Sequence, residues 1–204
     1  MPQSIKRTSL ILASLMAPLS LIACASSSGV DSFDKAEVNS TSLSSYQSVY
    51  VADVKVSDEL KSRTKIRYQS RASINEPRPI SERDLNRKAK DLKKALKREL
   101  GKNRNVVSSP GADVLTVQAT LTDLQSNRPT QADLSANVGL SFQSIYAGKA
   151  SATFVLSNQG QELARLKDTY NGDLLEPRPI GVWEDVDRTF NRWSRNIASA
   201  INNG

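Results

Sequence analysis

The sequence predicts an α+β domain: one mostly antiparallel sheet of about four or five strands with two main helices packed on one face. Three observations carry this. Apolar residues recur at helical spacing twice, as Leu85, Ala89, Leu92, Leu96 and Leu100, then as Val186, Phe190, Trp193, Ile197 and Ile201. Between them, apolar and polar residues alternate over 113–122 and 145–157, as in half-buried strands. Asn158-Gln159-Gly160-Gln161 then has the composition of a hairpin turn.

In chain order, Met1 to Ala23 reads as an export signal. Lys6 and Arg7 precede an apolar run from Leu10 to Leu21, interrupted by Ser14, Pro18 and Ser20 and too short to span a bilayer. Residues 24–45 are rich in serine and poor in large apolar side chains, as in a flexible tether; about twenty such residues reach roughly 25 Å. A single domain over 46–204 follows. Ser48 to Val56 is nearly continuous in apolar, β-branched residues and reads as a central strand. Residues 57–75 are polar and basic without a period, and read as a loop.

Ser81 and Asp84 stand in capping-box spacing before the first helix, and Gly101 is a suitable stop. Val106-Val107 is a short strand candidate. Over 113–122, Leu115, Val117, Ala119 and Leu121 share one face, and Thr116, Gln118, Thr120 and Thr122 the other. Residues 125–143 read as a loop. Ala150, Ala152, Phe154 and Leu156 line one face of the next strand, and 162–171 returns as its hairpin partner. The last helix is expected from about Val182 to Ile201. The expected core includes Val49, Val51, Leu92, Leu96, Val117, Leu121, Phe154, Phe190, Trp193 and Ile197.

Glu-Pro-Arg-Pro-Ile occurs twice, at 76–80 and 176–180, each time just before an expected helix. Residues before proline are held extended, and proline cannot donate to a sheet. The segment therefore reads as a stiff helix lead-in used twice, with Ile80 and Ile180 placed to pack on the first helical turn. Duplication is the sharper alternative, but outside this pattern the halves do not align.

Composition excludes several chemistries. The chain has no histidine, so no Ser-His-Asp triad and no imidazole metal site can form. Neither a Walker loop nor a dinucleotide glycine motif is present. No cofactor or metal is expected. Asp113, Asp123, Asp168, Asp173, Glu184, Asp185 and Asp187 fall near expected strand ends, turns or a helix start, where solvated or capping roles are commoner than catalysis.

Leu21-Ile22-Ala23-Cys24 resembles the lipobox of bacterial lipoproteins, and Cys24 is the single cysteine of the chain. The resemblance implies a diacylglyceryl group on its sulfur, acylation of the new N-terminus, and stable anchoring without a spanning segment. Ala25 and Ser26 follow, with no aspartate at the second position. By the same resemblance this points to the outer membrane, with the domain facing the periplasm.

Further along, Val49-Tyr50-Val51-Ala52, Gly111-Ala112-Asp113-Val114-Leu115, Ala119-Thr120-Leu121-Thr122-Asp123 and Gly148-Lys149-Ala150 resemble a bacterial lipoprotein family catalogued as a domain of unknown function (DUF3313). Gly160-Gln161-Glu162-Leu163-Ala164, Asp168, and Trp183, Val186, Phe190 and Trp193 of the last helix continue the resemblance. It spans about residues 46–202. Members often carry an acidic residue before the hairpin turn, where this chain has Ser157-Asn158. The resemblance implies fold and compartment but supplies no catalytic residue.

The functional expectation is a non-catalytic envelope lipoprotein, anchored through Cys24 and binding an envelope partner. The alternative is a cell-wall carbohydrate hydrolase or transferase using paired carboxylates across a cleft. Charge suggests where a partner would bind. Ser81 to Arg104 holds ten basic and four acidic residues, whereas 105–204 holds eight and ten. At 100° per residue, Arg87, Lys90, Lys94, Lys97 and Arg98 fall opposite the leucine stripe. A merely solvated helix face would carry the same pattern. An anionic lipid, lipopolysaccharide phosphates or an acidic envelope protein would fit it; export rules out nucleic acid.

Overall fold

The computed structural model describes residues 29–39, 43–66, 77–137, 139–174 and 181–203. Seven strands form one mixed, mostly antiparallel sheet. They are β1 (Lys35–Val38), β2 (Ser48–Val51), β3 (Lys55–Val56), β4 (Asn105–Val107), β5 (Val114–Gln125), β6 (Lys149–Asn158) and β7 (Gln161–Asn171). Their spatial order is β1-β7-β6-β5-β2-β4, with β3 also on β5.

The long strands β5, β6 and β7 pair antiparallel, as does β1 on β7, whereas β2 runs parallel to both β4 and β5, and β3 is parallel to β5. Parallel neighbours need a crossover, and helix α2 (Glu82–Leu100) supplies it between β2 and β4. The sheet is thus wider than the four or five strands expected. Ser48 to Val56 is two short strands rather than one, and β1 lies in the segment expected as tether.

The β6–β7 turn forms as its composition requires. Gln159 at φ 48° and Gly160 at φ 82° are both left-handed, matching a two-residue hairpin to the sheet's twist. Helix α2 starts at Ser81, whose hydroxyl accepts from the Asp84 amide at 3.0 Å and donates to its carboxylate at 2.8 Å. It stops at Gly101, whose amide donates to the Lys97 carbonyl at 3.0 Å. The last helix, α4 (Glu184–Asn203), opens with Glu184, Asp185 and Asp187, which favour the positive end of its dipole.

Two short helices occupy regions expected as loops. Helix α1 (Asp58–Ser62) is capped by the Ser57 hydroxyl and runs into a 3-10 turn over Arg63–Lys65. Helix α3 (Gln131–Ala136) begins with a reciprocal capping box between Thr130 and Asp133. Neither is long enough to show a hydrophobic period.

The core lies between one sheet face and the helix layer of α2 and α4. All ten residues expected there are buried, Phe190 being the most accessible at 2%. Trp193 stacks tilted on Phe190 and edge-on to Phe154, whose other side meets Phe33. Both tryptophans pack as core residues.

Phe33 marks the main departure from expectation. It belongs to a segment anticipated as flexible, yet it is 7% exposed. A 3-10 turn over Gly29–Ser32 packs on α4, and β1 continues the sheet. A Cβ on Gly29 would stand 2.5 Å from the Asn196 carbonyl oxygen and 2.7 Å from the Ser199 Cβ, so glycine permits the approach. Leu43, opening a further 3-10 turn over Leu43–Ser45, is 1% exposed. One buried aromatic and one leucine among serines suffice to hold the strap, although average composition conceals them.

Of the first Glu-Pro-Arg-Pro-Ile segment, Pro77–Ile80 lies outside helix and strand, and Ile80 is 2% exposed. This fits an extended lead-in. Glu76 and the whole second copy lie outside the described residues.

Candidate functional site

Helix α2 presents its leucine stripe to the core and its basic stripe to solvent. Arg87, Lys90, Lys94, Lys97 and Arg98 are all exposed. The arginines are engaged: Arg87 pairs with Asp84 at 2.6 Å, and Arg98 contacts Glu99 at 3.1 Å and the Asn191 side chain at 2.7 Å. Lys90, Lys94 and Lys97 make no hydrogen bond or ion pair among the described residues. Lys97 is close enough to Asp53 to help lower the pKa of its carboxyl, a shift due mainly to the Lys93 hydrogen bond at 2.6 Å.

The neighbouring helix extends the same charge. On α4, Arg188 and Arg195 are exposed, against exposed Asp187. Not every basic residue of α2 belongs to this surface. Lys88 is 4% exposed and is held between Asp91 at 2.8 Å and Asp187 at 2.6 Å, tying the two helices together. Cys24, the expected lipid attachment point, lies outside the described residues.

Several polar residues were not anticipated by sequence reasoning. Asp168 and Asp185, expected as solvated or capping groups, are 6% and 4% exposed. Asp168 accepts from the Trp193 indole N–H and from Arg192 at 2.9 Å. Asp185 accepts from Asn127, from Arg188 and from the Gly148 amide at 3.3 Å. The Asp185 amide in turn donates to the Asn127 side-chain oxygen at 2.9 Å. A Cβ on Gly148 would stand 2.6 Å from the Asp185 Cβ and 2.8 Å from Asn127 Nδ2. These bonds lock the start of α4 to the ends of β5 and β6.

A second knot surrounds Arg63. Its guanidinium donates to the Arg78 carbonyl at 2.7 Å, Asp123 at 2.6 Å and the Leu124 carbonyl at 2.8 Å. Burial pulls its pKa below the ordinary arginine value, and Asp123 opposes that. The other Asp123 oxygen meets Lys149 at 2.9 Å. Arg78 lies over the Tyr146 ring, 4.0 Å from its centroid, and burial raises the Tyr146 pKa. Arg78 Nη1 and the Trp183 indole N–H are buried without a hydrogen-bond partner among the described residues, beside a small cleft lined also by Thr130 and Asp133. At the far end of α2, Arg104 donates to the carbonyls of Ser44, Tyr46 and Ile201 and to the Asn202 side chain.

This distribution separates structural from available charge. Of the four buried carboxylates among the described residues, Asp133, Asp168 and Asp185 accept hydrogen bonds that fasten one element to another or close a cap, and Glu99 accepts from its neighbours Arg98 and Lys102 at the end of α2. On the outer surface of the helix layer, exposed Lys90, Lys94 and Lys97 are without an ion pair among the described residues; exposed Lys35, Lys55 and Lys167 lie on the strands. Among the described residues no helix is long and apolar enough to cross a membrane.

A single sheet carrying a two-helix layer on one face defines an α+β domain. The chain belongs to the family described as "Protein of unknown function (DUF3313)", whose model matches residues 38–197. No curated protein matches it. Among solved structures it is similar to PelC of Paraburkholderia phytofirmans, solved as a dodecamer, at 8% identity over 81% of this chain and 97% of that one, with a TM-score of 0.45. A minor lipoprotein from Acinetobacter baumannii matches at 12% identity over 77% and 90% of the two chains, TM-score 0.29. Rare lipoprotein B from Shewanella oneidensis matches at 11% identity over 74% and 89%, TM-score 0.29.

Proposed function

We propose that this protein is a non-catalytic lipoprotein of the bacterial outer membrane. Lipid on Cys24 holds it on the periplasmic side, and the basic face of α2 binds an anionic envelope partner. The observation that carries the reading is the Lys90-Lys94-Lys97 stripe, exposed and without an ion pair among the described residues, while Arg87, Lys88 and Lys93 nearby are paired. The lipobox-like stretch before Cys24 supports the anchor, and the structural use of the buried carboxylates supports a binding role over catalysis.

The test has two arms. Cys24→Ser is expected to move the protein from the detergent phase to the aqueous phase and to abolish labelling by radioactive palmitate. Retention of both would refute the anchor. In the second arm, wild type and the triple variant Lys90→Gln, Lys94→Gln, Lys97→Gln are captured from crosslinked envelopes. Loss of anionic species from the variant's captured set is expected. Identical sets would refute the assignment of the binding face.

A further inference from the structure

The ordered segment ahead of β2 changes what the anchor does. Only Ala25 to Ser28 separate Cys24 from Gly29, where the described domain begins. Those five Cα–Cα steps span at most about 18 Å. The lipid attachment point therefore stays within about 18 Å of the folded domain, little more than two screening lengths, since charges in physiological salt act over about 8 Å.

The point of entry also sets which face meets the bilayer. Gly29 packs on α4 at Asn196, Ser199 and Ala200, within the helix layer. From there the chain descends past buried Phe33 to β1 at the sheet edge. The leash thus begins at the level of the helices, not at the open face of the sheet. That helix surface exposes Arg83, Arg87, Lys90, Lys94, Lys97, Arg98, Arg188 and Arg195 against Glu82 and Asp187.

We infer that the domain lies on the membrane that holds its anchor, with the α2–α4 surface against anionic phospholipid headgroups and the open sheet face turned away. This rests on the lipid-anchor reading and makes the partner of the basic face the host bilayer itself. Charge complementarity and the length of the leash both favour this occupant over a partner that must be met at a distance. Each basic group near such a surface adds to the attraction, which salt weakens.

The experiment uses the full lipidated chain reconstituted into vesicles of phosphatidylethanolamine and phosphatidylglycerol. A fluorophore is placed at Asn86→Cys, a neutral exposed position on the same stripe as Lys90 and Lys94, or at Thr169→Cys, exposed on the open sheet face. Headgroup-bound quenchers are expected to quench the first label strongly and the second weakly. High salt, neutral phosphatidylcholine vesicles, or the triple Lys→Gln change is expected to remove the difference.

A twenty-residue Gly/Ser spacer between Ser28 and Gly29 lengthens the leash about fivefold. It is expected to lower the effective headgroup concentration, and with it the quenching, about tenfold. Equal quenching of both labels, or a difference indifferent to salt, would overturn the docked orientation. Protein that fails to enter the vesicles would instead refute the anchor on which the inference rests. Docking that depends on added lipopolysaccharide, with none on phosphatidylglycerol, would overturn the choice of partner.

Discussion

Replacing Gly148 by alanine tests whether the start of α4 is held by close backbone approach. Gly148 lies just before β6, and its carbonyl accepts from the Gly172 amide at 2.7 Å. An added Cβ would meet the Asp185 Cβ at 2.6 Å and Asn127 Nδ2 and Asp185 Oδ2 at 2.8 Å. Asp185 Cβ cannot swing away without moving the backbone, and the two side-chain ends, Asn127 Nδ2 and Asp185 Oδ2, are hydrogen-bonded to each other. Asn127 is fully buried, and Asp185 is fixed by its own amide bond to Asn127. Overpacking of this kind costs about 1–3 kcal/mol. Displacing Asp185 also loosens buried hydrogen bonds to a charged acceptor, worth a further 1–3 kcal/mol or so. Because the two effects share atoms, a total of about 3–4 kcal/mol is expected, or roughly 8–14 °C in melting temperature. Gly160→Ala is the control: nothing lies within 4 Å of its Cβ, and only its φ of 82° penalises alanine, by about 1 kcal/mol. Urea unfolding followed by tryptophan fluorescence, on chains carrying Cys24→Ser, measures both. A Gly148→Ala loss no larger than that of Gly160→Ala would refute the argument.

Three further perturbations test other parts of the fold. Phe33→Ala should cost about 3 kcal/mol in urea unfolding, because the ring is buried against Phe154 at a centroid distance of 6.1 Å; a neutral result would return residues 29–38 to the status of a tether. Asp168→Asn should cost about 1–3 kcal/mol and change the tryptophan emission, since it removes the charge facing the Trp193 indole and Arg192; unchanged emission would show that the indole bond is unimportant. The Lys102 hydrogen bond, then that from Arg98, pulls the Glu99 carboxyl below its ordinary pKa against the opposing effect of burial. Its stabilisation is therefore present at neutral pH and lost as pH falls from the ordinary carboxylate range through the lowered folded pKa. With exposed partners this amounts to under about 1 kcal/mol. Unfolding of Glu99→Gln and wild type should differ at pH 7 and converge in strong acid; a gap that persists there would contradict the assignment.

Long, periodic elements were legible in the sequence because their patterns repeat enough to outweigh local exceptions. The leucine stripe of α2, the aromatic stripe of α4, the alternation in β5 and β6 and the Gln159-Gly160 turn all appear where expected. What escaped was short. Helices of five or six residues at Asp58–Ser62 and Gln131–Ala136 complete fewer than two turns, so no period develops. Their caps were the available signals, Ser57 before Asp58-Glu59 and Thr130 three residues before Asp133. The strap over 29–38 was concealed differently. Its strand is exposed along all four residues, and its hold comes from Phe33 beside it and from pairing with β7. Strand pairing of this kind depends on a partner far along the chain, 132 residues away for Lys35 and Lys167, and leaves little trace in local composition.

The buried polar residues carry the consequence for function. A glycosidase-like site needs two carboxyl groups facing one another with room for substrate or water. Here Asp185 binds Asn127 and the Gly148 amide, Asp168 binds an indole and a guanidinium, Asp133 closes its own helix cap, and Asp123 lies between Arg63 and Lys149. Using any of these as an acid or base would require breaking bonds that join α4, α3 or the Arg63 turn to the sheet. The lysines of α2 are in the opposite position. Lys90, Lys94 and Lys97 hold nothing in place among the described residues, so the fold does not require their charge. Charge that the fold does not use, on the layer where the chain enters and close to the proposed lipid anchor, is best explained by what lies outside the domain. If Cys24 carries the proposed lipid, the ordered strap from Gly29 to Val38 is a functional element as well as a structural one, because only four residues then separate the anchor from the fold.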